Sequence, residues 1–183
     1  MKVLVAHASK YGSTEEVAES IARVLRSRCV HADVRAAGEV EDIEGYDGVV
    51  LGGGIYVGRW HRNAHGFARH FADDLAALPV AVFALGPVDE VPEHRAGSEK
   101  QFRHALRKLR FTPFATALFG GAVDPRKLSF PFNHMPAADV RDWDAIRGWA
   151  TEIADTFLPE PYPARGLSTA NGSVTSSVSL LKR

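Results

Sequence analysis

Six residues near the amino terminus, Ser9-Lys10-Tyr11-Gly12-Ser13-Thr14, combine three aliphatic hydroxyls, one cation and one flexible glycine just before a helical pattern. Free backbone N–H groups and the positive dipole end of a helix start favour an anion. Hydroxyls in place of a glycine cluster suit a terminal monophosphate, whose oxygens each accept several hydrogen bonds. Two other phosphate loops fail on spacing. No G-x-x-x-x-G-K followed by Ser or Thr occurs, and the dinucleotide pattern G-x-G-x-x-G lacks its glycines after the first strand, where Gly12 stands alone. Asp33 lies about where a ribose-binding acid would fall, and without those glycines it reads as an ordinary surface carboxylate. Ser13 and Glu16 have capping-box spacing, which predicts a helix starting there. Capping accounts for those two residues but not for Ser9, Lys10 and Thr14 around the same turn.

The elements that position this turn alternate between two periods. Lys2 to His7 reads as a buried strand, and Ser13 to Arg28 places Val17, Ile21, Val24 and Leu25 on one helical stripe. Val30 to Arg35 is a weaker, edge-like strand. Asp47 to Gly52 is a second buried strand, followed by a helix from His61 to Leu78. Pro79 to Gly86 is the next strand, Ser98 to Leu109 a helix, Phe114 to Val123 a strand, and Asp142 to Leu158 the final helix. Strand–helix alternation of this kind predicts an α/β fold of three layers, a five-stranded parallel sheet of order 2-1-3-4-5 with helices on both faces. Ligands of such sheets sit beyond the carboxyl ends of the strands where the order reverses. Besides Ala8 to Thr14, that places the loops Gly53 to Trp60 and Gly86 to Arg95 at the site.

Length and charge bound the rest. With 183 residues the chain suits one domain, assigned to residues 1–158, with a Pro-rich and then Ser/Thr/Gly-rich tail over 159–183 that reads as a mobile appendage. Lys plus Arg and Asp plus Glu both total 22, so no excess positive charge supports nucleic-acid binding. One cysteine, Cys29, excludes an internal disulfide and predicts a reduced, cytoplasmic setting. No run approaches the roughly 20 apolar residues of a membrane helix, which leaves peripheral membrane contact open.

The phosphate loop after a buried strand resembles that of the flavodoxin-like family, and Gly53-Gly54-Ile55-Tyr56-Val57-Gly58-Arg59 followed by His61 resembles that family's second loop. The likeness extends over residues 1–158 and is similar, more narrowly, to the branch containing menaquinone-dependent protoporphyrinogen IX dehydrogenase. It implies noncovalent FMN and redox chemistry. On that basis Ser9, Lys10, Tyr11, Gly12, Ser13 and Thr14 hold the phosphate. Ile55, Tyr56, Val57 and Gly58 would lie along the ring, with Trp60 either beside them or packed beneath the loop. Gly86, Pro87, Val88 and Asp89 would offer backbone groups to the ring edge.

The third loop carries no aromatic residue where electron-carrying relatives usually place one, which favours a flavin with one face open to substrate. Arg59 either pairs with a substrate carboxylate or is simply solvated. Within Asp124 to Ala138, shorter than the insertion of the porphyrinogen-oxidising relatives, Phe130, Phe132 and Met135 cover the flavin, contact a quinone or pack under a loop. His61 and His65 have metal-compatible spacing but no evident third ligand, so no metal is assigned. His7 reads as a core histidine and Cys29 carries no chemistry. The sequence and its resemblance thus predict an FMN-dependent oxidoreductase, either a protoporphyrinogen- or quinone-linked dehydrogenase, exchanging electrons with a redox partner or a quinone-like small molecule, with homodimerisation open. An electron shuttle between proteins and a non-redox phosphate-binding module stand as alternatives.

Overall fold

The computed structural model describes residues 1–56, 58–127, 132–134 and 136–158. In chain order the elements are β1 (Lys2–Ala8), α1 (Ser13–Ser27), β2 (His31–Ala36), β3 (Gly48–Tyr56), β4 (Arg59–Trp60), α2 (Arg62–His70) and α3 (Ala72–Ala77). There follow β5 (Val80–Leu85), α4 (Pro92–Leu106), β6 (Ala115–Phe119), β7 (Ala122–Val123), β8 (Ala138–Asp139) and α5 (Trp143–Phe157). The main sheet runs β2-β1-β3-β5-β6, every neighbour parallel, with β4 folded back antiparallel on Ile55 and Tyr56. Setting the two-residue β4 aside, the parallel strands keep the expected 2-1-3-4-5 order.

Side chains alternate across the pleat, so β1 sends Val3 and Val5 to one face and Leu4, Ala6 and Ala8 to the other. The first face is covered by α1 and α5 through Val17, Ile21, Ile146, Ile153 and Phe157. The second is covered by α2, α3 and α4 through Phe67, Leu75 and Phe102. Burial on both faces explains why β1, β3 and β5 are continuous apolar runs.

Four boundaries differ from the sequence reading. The helix expected over 61–78 breaks at Phe71 into α2 and α3. The break lets Arg69 and His70 close one helix while Asp73 and Asp74 open the next, each sign matching its dipole end. Helix α4 begins at Pro92, not Ser98: proline fits a first helical turn, but Glu93, His94 and Arg95 hide the apolar period. The strand expected over 114–123 ends at Phe119, and Ala122–Val123 pairs instead with Ala138–Asp139 in a separate hairpin. A Cβ on Gly120 would lie 2.0 Å from the Val140 carbonyl oxygen, so only glycine lets the hairpin close so near the sheet. Finally, β3 continues through Gly52, Gly53 and Gly54 to Tyr56. Cβ atoms there would lie 2.0 Å from the Phe83 ring, 2.6 Å from the Trp60 indole and 2.6 Å from the Tyr56 ring. These glycines make room for aromatic rings inside a strand; they do not end it.

Helix α1 closes with paired bonds, Val30 N–H to the Leu25 carbonyl (3.0 Å) and Cys29 N–H to the Arg26 carbonyl (3.1 Å). That arrangement favours glycine, yet Cys29 occupies the left-handed position at φ 62°. Cys29→Gly is therefore expected to raise stability by about 0.5–1 kcal/mol, the relieved strain exceeding glycine's greater unfolded-state freedom, as read from urea unfolding; an unchanged or lower midpoint contradicts this.

His7 is buried, and its Nδ1 has no hydrogen-bond partner among the described residues. Desolvation holds its imidazole below the ordinary value, against the opposing pull of Glu15, Glu19 and Glu39. A depressed histidine stabilises the fold above its unfolded pKa of about 6.5, and that contribution is lost as pH falls. Between pH 7.5 and 5.5, urea stability should fall less steeply in His7→Leu than in the parent; equal slopes would show that His7 is not the group responsible.

Candidate functional site

The turn after β1 is built around one oxygen. Ser9 Oγ accepts hydrogen bonds from the backbone N–H groups of Gly12 (2.9 Å) and Thr14 (3.3 Å). Gly12 adopts φ 93°, a left-handed conformation that suits glycine and turns the chain into α1. The expected capping box is absent. Gly12, not Ser13, is the N-cap residue, and no side chain caps the helix from that position. Glu16 turns outward to Arg141, 2.8 Å away.

Thr14 is fully buried, and its Oγ1 has no partner among the described residues. An unsatisfied buried hydroxyl costs about 1–3 kcal/mol, so its position beside convergent amides and a helix start is chemically pointed. The Gly12 and Thr14 amides are spent on Ser9, so an anion with several oxygens would be met by the Thr14 hydroxyl and the remaining unpaired amides of the first helical turn.

Opposite the turn stands the β7–β8 hairpin. Between them lies a cavity of about 590 Å³ whose walls include Tyr11, Ser13, Lys127 and Arg141. Arg141 exposes only 7% of its side chain; it pairs with Asp139 (2.6 Å) and Glu16, and lies 4.6 Å over the Trp143 ring. It thereby ties the hairpin to the first turn of α1. Arg126 is held by Asp124 at 2.9 Å. Lys127 has no ion-pair partner among the described residues, and its Nζ would lie 3.4 Å from a Cβ built on Gly12. A free cation thus faces the turn. The sequence reading did not single out Lys127; the only available cue was a Pro-Arg-Lys run just past a predicted strand.

Tyr56 links the second loop to the first. Its half-buried ring stands edge-on to Tyr11 at 6.1 Å and to His61 at 6.0 Å. Burial raises its phenol pKa above the ordinary value, while bonds to the Lys10 backbone and the Ser13 side chain act the other way. Ile55 is also half-buried, Val57 lies outside the described residues, and Gly58 turns the chain at φ 77°. Trp60 is 2% exposed and donates its indole N–H to the Gly53 carbonyl at 3.0 Å, so it packs beneath the loop.

The third loop is stitched to its neighbour: Gly86 N–H donates to the Phe119 carbonyl and Gly121 N–H to the Pro87 carbonyl. Val88 is half-buried. The Asp89 carboxylate accepts from the Val91 N–H and meets the His94 ring at 2.8 Å, an interaction that holds it below the usual carboxylate range. The aspartate side chain therefore shapes the start of α4. Ser9–Thr14 and Tyr56 share one contact network, while Gly86–Asp89 forms a separate wall at the end of β5. His61 and His65 join no cluster of three or more His, Cys, Asp or Glu suited to a metal among the described residues. Asp33 pairs internally, with Lys2 at 3.3 Å and the Tyr46 hydroxyl at 3.0 Å. Phe130 and Met135 lie outside the described residues, as does the 159–183 tail.

Comparison with known proteins identifies the family and the fold. The family model for the flavodoxin domain matches residues 4–135. The protoporphyrinogen IX dehydrogenase [quinone] of Escherichia coli is 29% identical over 172 residues, spanning 84% of this chain and 95% of the relative. A cysteine-to-alanine mutant of Pseudomonas aeruginosa flavodoxin superposes with TM-score 0.56 at 20% identity, covering 85% of this chain and 97% of that one. Oxidised flavodoxin 1 from Bacillus cereus superposes with TM-score 0.58 at 17% identity, covering 87% and 100%. Those structural likenesses concern the fold, and the family model goes further: this chain belongs to the flavodoxin domain family.

Proposed function

We propose that this protein binds FMN noncovalently and works as an oxidoreductase on a quinone-like or porphyrinogen-like small molecule. The observation that carries the reading is the turn Ser9–Thr14, where two amides converge on one oxygen and a fully buried threonine hydroxyl lacks a partner. In this reading Ser9, Lys10, Tyr11, Gly12, Ser13 and Thr14 hold the phosphate, and Lys127 supplies a cation across from Gly12. Tyr56, its hydroxyl bonded into the first loop, keeps the second loop against the phosphate end. Ile55, Tyr56, Val57 and Gly58 line one side of the ring, and Gly86, Pro87, Val88 and Asp89 offer backbone groups to its edge. Bound FMN supplies the hydride and electron transfer, the protein contributing orientation and electrostatics.

The substrate side is supported by the third loop, which has no aromatic side chain from Gly86 to Val91 to cover a second ring face. It is supported also by the Escherichia coli relative, whose name specifies protoporphyrinogen IX and quinone. No helix among the described residues is long and apolar enough to cross a membrane, so a lipid-soluble quinone would have to be met at a surface. The single exposed Cys29 fits a reducing cytoplasm.

Hydrogen bonds to charged groups contribute about 1.5–3 kcal/mol each. Ser13→Ala with Thr14→Ala is therefore expected to raise the dissociation constant for FMN at least tenfold while leaving the unliganded protein's circular dichroism unchanged. Lys127→Ala should flatten the salt dependence of FMN binding. A double variant that binds FMN like the parent overturns the loop assignment.

A further inference from the structure

The chain has no net charge, and several of its exposed arginines are held by carboxylates: Arg26 by Glu19, Arg28 by Asp155, Arg95 by Glu99 and Arg147 by Asp144. One groove instead gathers unpaired cations in a single cavity. It runs between α2 and α4, has a volume of about 760 Å³, and opens at Gly58 of the second loop. Arg62, His65 and Arg69 lie on one stripe of α2 at spacings of three and four. His104 in the last turn of α4 and Lys108 just past it face them, and Arg59 reaches in from β4. No carboxylate lines the groove among the described residues, and none of Arg59, Arg62, Arg69 and Lys108 forms an ion pair there. A neighbouring cavity of about 390 Å³ continues the channel past His65, Arg69 and Lys108 to Arg110, where Asp73 supplies a counter-charge at 3.9 Å. The uncompensated field reaches a neighbouring ring: burial lowers the His65 pKa below its ordinary value, and Lys108 and His104 lower it further.

Four cations held side by side without counter-charge repel one another, and a walled groove concentrates their field. Trp60 and Ala105 form a buried floor beneath these side chains. The flavodoxin-type phosphate loop lies at Ser9–Thr14, so this groove is a separate feature that opens beside the second loop.

We propose that the α2–α4 groove binds the multiply anionic end of a small molecule carrying at least two phosphate or carboxylate groups. Where FMN occupies the neighbouring site, which rests on the functional reading above, the groove would orient that molecule's redox-active end toward Gly58. Anion binding by the groove does not depend on that reading.

Calorimetric titration with inorganic pyrophosphate and, separately, glutarate tests the proposal at about 0.15 M salt, where unspecific surface attraction is largely screened. Two proteins are titrated: the parent saturated with FMN, and the Ser13→Ala/Thr14→Ala variant, in which the phosphate turn is disabled. The expected result is one site in both proteins, weakened at least tenfold by Arg62→Ala with Arg69→Ala. The same number of charges removed elsewhere, by Arg95→Ala with Arg147→Ala, should leave it unchanged. The tighter of the two probes tells phosphate from carboxylate. Binding that survives in the turn-disabled protein, even if FMN does not bind the parent, separates this inference from the cofactor assignment. Absence of binding to either protein, or equal weakening by both arginine pairs, overturns it.

Discussion

Two backbone amides that point at one oxygen set the terms for the rest of this molecule. The N–H groups of Gly12 and Thr14 can converge on Ser9 Oγ only if the chain reverses through a left-handed residue at the carboxyl end of β1. The same reversal points the start of α1 at the turn and buries the Thr14 hydroxyl without a partner. A protein that folded for stability alone would satisfy or remove such a hydroxyl. In the proposed function, an occupant that brings acceptors of its own would satisfy it.

The packing around the turn leaves the Thr14 hydroxyl without a partner among the described residues. The parallel sheet places the ends of β1, β3 and β5 side by side, where an open sheet binds its ligand. Arg141 takes up Glu16, an acid that would otherwise stand uncompensated in the first turn of α1, near any bound anion. Tyr56 spans from β3 to the first loop, and the consecutive glycines Gly52–Gly54 give the Phe83, Trp60 and Tyr56 rings their room. Fold and site thus share residues: the aromatic packing that buries β3 also fixes where the second loop leaves the sheet.

The sheet was legible in the sequence because strands buried on both faces must be continuous apolar runs, and β1, β3 and β5 are. The turn was legible because Ser9, Lys10, Ser13 and Thr14 form a local set. Interactions that depend on distant chain were not. Ser13 and Glu16 have capping-box spacing, yet Arg141, 125 residues further on than Glu16, draws that glutamate away. The triple glycine read as a strand end, since nothing local shows that the Phe83 ring will lie against Gly52. Pro92 opens α4 through a polar turn with no apolar period. Lys127 reaches Gly12 only because β6 ends at Phe119 and hands the chain to a hairpin. Arg62, His65 and Arg69 on one side and His104 and Lys108 on the other are each visible as a stripe, but only the fold sets the stripes face to face.

The central claim is that the Ser9–Thr14 turn recognises the phosphate of a flavin. It is tested most directly by titrating flavin-free protein with FMN and with riboflavin, which differ only in that group, and following quenching of flavin fluorescence. Several charge-assisted hydrogen bonds at about 1.5–3 kcal/mol each predict that FMN binds on the order of a hundredfold tighter. Equal affinity for the two flavins, or none for either, would contradict the account.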